Sequence, residues 1–437
     1  MMSRVLSSEI GGHIGKKIKI AGWLHKKRKL GGLNFINVRD RRGLVQVLIE
    51  DKKEIEKLRG MQIGTVLTVE GKVYEDKRAP NGAEIHEPKL AVEVPVTAEP
   101  PIEIDKPIDH RPENLDTLFE YRGLSLRNLQ EQKVFKIRAG ILRYIREYLT
   151  KNEFIEIQTP KLIAGATEGG AEVFKLDYFG KEATLAQSPQ LYKQMLVGAF
   201  ERVFEIAPAF RAELSATTRH MSEVMMLDIE MGFTTHDEVL DLVGEMTIYT
   251  LRQTYKDFAA DLKSLNAPEL VLKEKVPRFS VAEIHELYSK ANKEDTRGEK
   301  DLTPDEERWI CEYARKNRGS ELVYATDFPI EAMKFYHKIN PDNPKTVLWG
   351  DLLFRGLEIA TVPFRENNHD QLVKQMKAAG LDVKADGYKY FLQAMQFGLP
   401  PHGGCGYGID RLVEKTAGLN NVKEATLFPR DINRLSP

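Results

Sequence analysis

The 437-residue chain is poor in cysteine, in tryptophan and in long apolar runs. Only Cys311 and Cys405 occur, far apart, which excludes a disulfide framework or a thiolate zinc cluster and fits a reducing compartment. No stretch of 18 apolar residues exists to cross a membrane as a helix. The first residues, MMSRVLSSEIGGHIGKK, lack the apolar core of a secretory signal. The expectation is a cytoplasmic protein with no membrane partner. Net charge is nearly absent too: 64 Lys and Arg against 65 Asp and Glu leave −1, so any nucleic-acid contact must come from local asymmetry. The phosphate-binding pattern G-x-x-x-x-G-K-[ST] is nowhere present, which excludes a P-loop. In GGCGYGIDR the glycines Gly404, Gly406 and Gly408 alternate without the βαβ context of a dinucleotide fold, and suit a strand approached closely by a flat ligand.

What is present comes in blocks. Residues 16–42 hold ten Lys/Arg against a single acid, Asp40. Within and beyond them run KIKIAGWL, LNFINVRD, LVQVLIE, GTVLTVEGKVY and KLAVEVPV, with one helical interruption, DKKEIEKLRGM. Five short β-rich runs over 1–100 predict a five-stranded OB-fold barrel, an architecture that binds single-stranded nucleic acid. Trp23 and Phe35 offer stacking faces and Gln46 an amide for a base edge. Aromatics alternating along a strand serve a core as readily as a platform, and this segment alone leaves both open.

The proline-rich joint 93–113 removes backbone donors and fixes φ, so a connector is expected over 101–130. After it, Val134, Ile137, Ile141, Leu142, Ile145 and Leu149 recur at helical spacing, and the helix leads into FIEIQTP, ended by Pro160. Later strand-like runs arrive consecutively, which predicts an α+β domain over 131–437: an antiparallel sheet flanked by helices, with 245–335 as a mainly helical insertion. Between the apolar runs RVFEIAPAF and MLDIEM lies FRAELSATTRH, with Arg211, Glu213, Arg219 and His220. Such a cluster is either a solvated, ion-paired hairpin or a polyanion holder.

FIEIQTPKL, FRAELSATTRHMSEVMMLDIEM and PPHGGCGYGIDRL in that order, with AQSPQLYKQ and LFPRDINRLSP, resemble the motifs of class II aminoacyl-tRNA synthetases, and most nearly their aspartyl group of archaeal/eukaryotic type. The resemblance spans nearly the whole chain. It implies adenylation of L-aspartate by ATP, transfer to tRNA(Asp), and a homodimer built around the first motif. tRNA(Asn) stays open as a second acceptor. It implies Arg211 and Arg411 as catalytic, on the α-phosphate and over the adenine. Glu213, Arg219, His220, Met221, Glu358, Gly406 and Gly408 complete the ATP site. Mg²⁺ would sit on Asp351, Glu358 and Thr361. Lys193 and Arg365 match receptors of the substrate's side-chain carboxylate, Ser188, Gln190 and Thr361 line the pocket, and Glu168 and Asp228 match the α-ammonium network. In the barrel Arg28, Phe35 and Gln46 match anticodon readers. TVPFR (361–365) departs from a Gly-rich turn beneath the substrate, and Val224, Cys405 and Lys29 also depart from the pattern. A paralogue that activates aspartate without charging tRNA is the alternative reading.

Overall fold

The computed structural model describes residues 2–30, 33–107, 113–165, 172–215 and 217–437. It divides into two compact units, Met1–Gln132 and Lys133–Pro437. In the first, β1 (Lys17–Leu30), β2 (Leu33–Arg39), β3 (Leu44–Ile49), β4 (Val66–Glu75) and β5 (Ala83–Val94) close a barrel in the order β1-β2-β3-β5-β4. The β3–β5 pair is parallel and the others are antiparallel. Strand alternation decides what faces inward: Ile36, Val38, Val45 and Val47 are buried in the barrel core, while Phe35 and Gln46 are half-buried on the other face. The helix Lys52–Arg59 interrupts the strands where expected, capped by Asp51, whose carboxylate accepts the N–H groups of Lys53 and Glu54.

The joint expected as a connector over 101–130 has structure of its own. Ile102, Ile104 and Leu118 are buried together, with Ile63 and Leu124 packed on them, and two short helices, Leu115–Glu120 and Arg122–Ser125, follow. Arg122 and Glu131 form a buried 2.8 Å ion pair. Contacts group these residues with the barrel in the unit Met1–Gln132, and the second unit starts at Lys133, close to the expected 131. The prolines hid this packing, because the isoleucines between them still had apolar area to bury.

The second unit is built on an eight-stranded sheet. Its strands are β6 (Ile155–Glu156), β10 (Arg202–Phe210), β11 (Glu223–Gly232), β12 (Arg278–Ser280), β13 (Leu322–Thr326), β14 (Trp349–Phe354), β15 (Leu357–Pro363) and β16 (His402–Gly408), ordered β12-β13-β14-β15-β16-β11-β10-β6. A small sheet of β7 (Leu162–Ile163), β8 (Lys175–Tyr178) and β9 (Lys181–Leu185) stands apart from it, in the order β7-β9-β8. The large sheet is antiparallel through its middle, as expected, but mixed at its ends, where β12–β13 and β6–β10 run parallel.

The periodic helix spans Leu129–Lys151, and its Val134, Ile137, Ile141, Ile145 and Leu149 enter one core with Leu227, Ile229, Val243 and Tyr407. Residues 245–335 are mainly helical, as expected, but they also supply two strands of the main sheet. Their first part continues the helix His236–Asp257, whose Val239, Leu240, Val243 and Met246 belong to the same core, and β12 and β13 extend the main sheet. β13, LVYAT, is buried at all five positions, a continuous apolar run easily lost between Lys/Glu-rich helices. Gly404 answers to a neighbouring strand and not to a ligand: a Cβ there would lie 1.9 Å from the Ile229 carbonyl oxygen of β11.

Candidate active site

The charge cluster FRAELSATTRH connects two paired strands, Phe210 of β10 facing Glu223 of β11. Arg211 and Glu213, expected along the strand, lie just beyond its end. The Arg211 backbone N–H still donates to the Ser222 carbonyl at 2.9 Å, which keeps the loop extended there. Glu213 stands 3.8 Å from Arg211 and 3.5 Å from His220, whose Nδ1 lies 2.7 Å from the Thr217 hydroxyl. Arg219 is tied elsewhere: it pairs with Glu307 of the helix Pro304–Arg318 at 3.0 Å and donates to the Gly356 carbonyl at 3.4 Å.

One cavity of about 220 Å³ gathers these groups. Arg211, Glu213, Arg219, His220, Met221, Glu358, Gly406, Gly408 and Arg411 line it, as do Ser188, Gln190, Asp228, Thr361 and Arg365. Of the residues expected at the site, Glu168 lies outside the described residues, and Lys193 and Asp351 stand behind the wall. Among the described residues the Gln190 side-chain amide nitrogen is buried without a hydrogen-bond partner. Arg411 is fixed against Glu358, to its carboxylate at 3.2 Å and its carbonyl at 2.8 Å. Behind Arg411, Asp410 accepts the Met225 N–H at 2.8 Å and pairs with Arg138, so the start of the helix Ile409–Ala417 is held to the sheet.

The two acids expected to hold metal do converge. Asp351 faces Thr361 across the β14–β15 ladder, and the Thr361 hydroxyl donates to Glu358 at 2.9 Å. Burial, then repulsion from Glu358, pushes the Asp351 carboxyl well above its ordinary range, although the Trp349 indole N–H donates to it at 2.7 Å. Burial also pushes Glu358 up, but Arg411, the Thr361 hydroxyl and Arg211 outweigh it and hold that carboxyl low. Two hard carboxylates in mutual repulsion beside a hydroxyl suit a divalent cation such as Mg²⁺.

The amino-acid end is a buried ion network. Lys193, 1% exposed, donates to Asp228 and to the Cys405 carbonyl, each at 2.8 Å, and stands 3.5 Å from Glu230. Arg365, equally buried, donates to both Glu230 oxygens, at 2.9 and 3.1 Å. Burial pushes the Glu230 carboxyl up, yet Arg365 and Lys193 hold it below the ordinary range, so it is ionised. Sequence reasoning missed Glu230. The available signal was its i, i+2 spacing from Asp228 in LDIEM, which puts both on one face of β11.

The TVPF segment is not a turn. Thr361 and Pro363 of β15 pair with Asp351 and Trp349 of β14 and line the cavity, while Val362 and Phe364 point into the core. Val224 lines the cavity as well. Cys405 is fully buried, and burial pushes its thiol up to about 12, which leaves it inert.

In the barrel, Arg28 pairs across β1–β2 with Phe35, and Gln46 pairs across β2–β3 with Asn37. Phe35 and Asn37 share a face, so Arg28, Phe35 and Gln46 form one outward patch. The Gln46 amide nitrogen donates to Glu84 at 2.7 Å, and Glu84 stands 2.7 Å from His86. The Arg39 guanidinium lies 4.7 Å over the ring of Trp23, which stays exposed.

Comparison with known proteins accounts for both units. Residues 114–432 match the family model of tRNA synthetases class II (D, K and N), and residues 18–93 match that of the OB-fold nucleic acid binding domain. The chain belongs to this class II synthetase family. It is similar over its full length and that of the relative to an aspartate–tRNA(Asp) ligase of Pyrococcus abyssi, at 40% identity. An aspartate–tRNA(Asp/Asn) ligase of Archaeoglobus fulgidus is 39% identical, with 97% of each chain covered. Among solved structures, asparaginyl-tRNA synthetase of Pyrococcus horikoshii with asparaginyl-adenylate superposes with a TM-score of 0.92 at 30% identity, covering both chains fully. The synthetase is thus a ligase with an ATP-dependent catalytic unit and an OB-fold unit. Among its described residues no helix is long and apolar enough to cross a membrane.

Proposed function

We propose that the synthetase is an aspartate–tRNA ligase that joins L-aspartate to the 3′ end of tRNA(Asp) and also of tRNA(Asn). The observation that carries this reading is the continuity of the cavity. It runs from the arginines of the charge cluster to Arg365, a guanidinium fixed by Glu230 and able to receive a second carboxylate.

In the first step the α-carboxylate of aspartate attacks the α-phosphorus of ATP, and the bond to the departing pyrophosphate breaks. Arg211 bridges the carboxylate and the α-phosphate as charge develops there, because a guanidinium fork presents parallel donors. Glu213 orients the adenine amino group, Arg219 and His220 hold the outer phosphates, Met221 lines the ATP site, and Arg411 covers the adenine beside Gly406 and Gly408. Asp351, Glu358 and Thr361 would hold Mg²⁺, which supplies charge neutralisation for the triphosphate when bound. Ser188, Gln190, Thr361 and Asp228 shape the aspartate pocket together with Glu168. Lys193 acts from behind the wall, bonded to Asp228 and close to Glu230. In the second step the terminal adenosine's 3′-hydroxyl attacks the acyl carbon and AMP leaves.

The basic barrel, with Arg28, Phe35 and Gln46 on one face, supports anticodon reading. The Asp/Asn relative supports tRNA(Asn) as a second acceptor. A cytoplasmic homodimer completes the proposal.

Aspartate-dependent ATP–pyrophosphate exchange tests it, with asparagine in parallel and Arg365→Ala as control. Exchange with aspartate that is lost in the variant is expected. Exchange with asparagine alone would overturn the reading.

A further inference from the structure

One side chain of the cavity wall has no part in the chemistry above. His337 lies in KFYHKI, is 2% exposed, and lines the cavity. Its backbone pairs antiparallel with that of Arg365, so the two side chains issue from adjacent strands. The ring is held between Tyr336, at 5.1 Å, and Trp349, at 5.2 Å, and Trp349 is itself stacked 3.9 Å from Phe328 and bonded to Asp351. It has little freedom to turn.

Its tautomer follows from one hydrogen bond. The Lys334 backbone N–H donates to His337 Nδ1 at 3.4 Å. A nitrogen that accepts carries no proton, so the proton of the neutral ring is on Nε2. Burial, then the nearby cations Arg365 and Lys334, drives the ring to its neutral form. Among the described residues Nε2 has no acceptor. The wall therefore presents a fixed N–H donor beside the Arg365 guanidinium.

We propose that His337 is a specificity-determining residue of the amino-acid pocket, donating its Nε2–H to the side-chain carboxylate that Arg365 receives. The inference rests on the reading of Arg365 given above. A carboxylate has acceptors only and satisfies both donors. The amide of asparagine has a single, uncharged acceptor oxygen to share between them and an NH₂ that neither can receive, so a second fixed donor sharpens the choice of aspartate.

The test uses the full chain in pyrophosphate exchange with L-aspartate and L-asparagine. His337→Phe keeps a ring in the stack and removes the donor, and His337→Gln returns an N–H near the Nε2 position. For His337→Phe the KM for aspartate is expected to rise about 10–100-fold, the scale of a lost hydrogen bond to a charged group, while the KM for ATP holds. The preference for aspartate over asparagine should fall in step, and His337→Gln should recover most of both. An unchanged aspartate KM and preference in His337→Phe overturns the proposal, as does an equal rise in the KM for ATP. If His337→Phe does not fold, His337→Gln against His337→Asn decides, because Asn replaces only the Nδ1 side; equal behaviour of the two sinks the idea. Wild-type exchange with aspartate that Arg365→Ala abolishes keeps the parent reading intact whichever way His337 falls, and its absence marks failure of that reading instead.

Discussion

Glu230 grips Arg365 through two hydrogen bonds, at 2.9 and 3.1 Å, while standing 3.5 Å from the ammonium of Lys193. All three side chains are buried, as is Asp228 at 2.8 Å from Lys193, so two carboxylates compensate two cations in a place where water does not help, and Glu230 is the one that touches both. Removing one partner of such a set leaves an uncompensated buried charge, which costs far more than the pair contributes.

Glu230→Gln should therefore destabilise the catalytic unit by about 3–5 kcal/mol and lower aspartate-dependent exchange. The pH dependence has a definite sign. The folded carboxyl lies below its ordinary 4.5, so its stabilisation is present above that pH and is lost as pH falls through the lower folded value. Thermal melts across the acid range should show this loss in the wild type and a flatter curve in the variant. Parallel curves would argue that Glu230 is not the ionised member.

Arg211→Ala should lower the turnover of pyrophosphate exchange by about 10²–10³-fold without a change in melting temperature. Arg211→Lys should recover little, since an ammonium cannot bridge two groups as a planar fork does. Exchange assays on both variants check this, and full rescue by lysine would assign Arg211 a point-charge role.

Burial and repulsion from Glu358 push the Asp351 carboxyl toward its neutral form, so ionising it for a metal costs stability. In metal-free buffer Asp351→Asn should melt above the wild type. Added Mg²⁺ should then raise the wild-type melting temperature more than that of the variant, and exchange by the variant should need more Mg²⁺. Equal Mg²⁺ responses would place the ion elsewhere.

Phe35→Ala should raise the KM for tRNA by about 5–100-fold, the scale of one lost base stack, and leave pyrophosphate exchange untouched. Equal loss in both assays would mean that the ring serves the barrel's fold.

Much of this was legible from residue order alone. Alternation located the five barrel strands, 3.6-residue spacing the long helix, and charge between apolar strands the loop after Phe210. Side chains whose meaning depends on distant partners were not legible. Glu230 reads as one more acid in a strand until Arg365 arrives from 135 residues away. His337 belongs to no motif and gains its role only by pairing with Arg365. TVPF reads as a stiffened turn because sequence does not reveal that β15 continues through it, sending Val362 and Phe364 inward. The two strands within 245–335 were missed for a similar reason, since β13 is short and its flanks are highly charged.

The ion pair between Arg219 and Glu307 joins the loop after Phe210 to a helix nearly ninety residues further along the chain. A minimised version of this enzyme that dispensed with residues 270–330 would forfeit two sheet strands and the anchor of that arginine together. For protein engineers the segment is a strut of the reaction chamber, and shortening campaigns should begin at its exposed Gly298–Lys300 turn, leaving the buried Thr296, bonded to Glu306, and Glu307 where they stand.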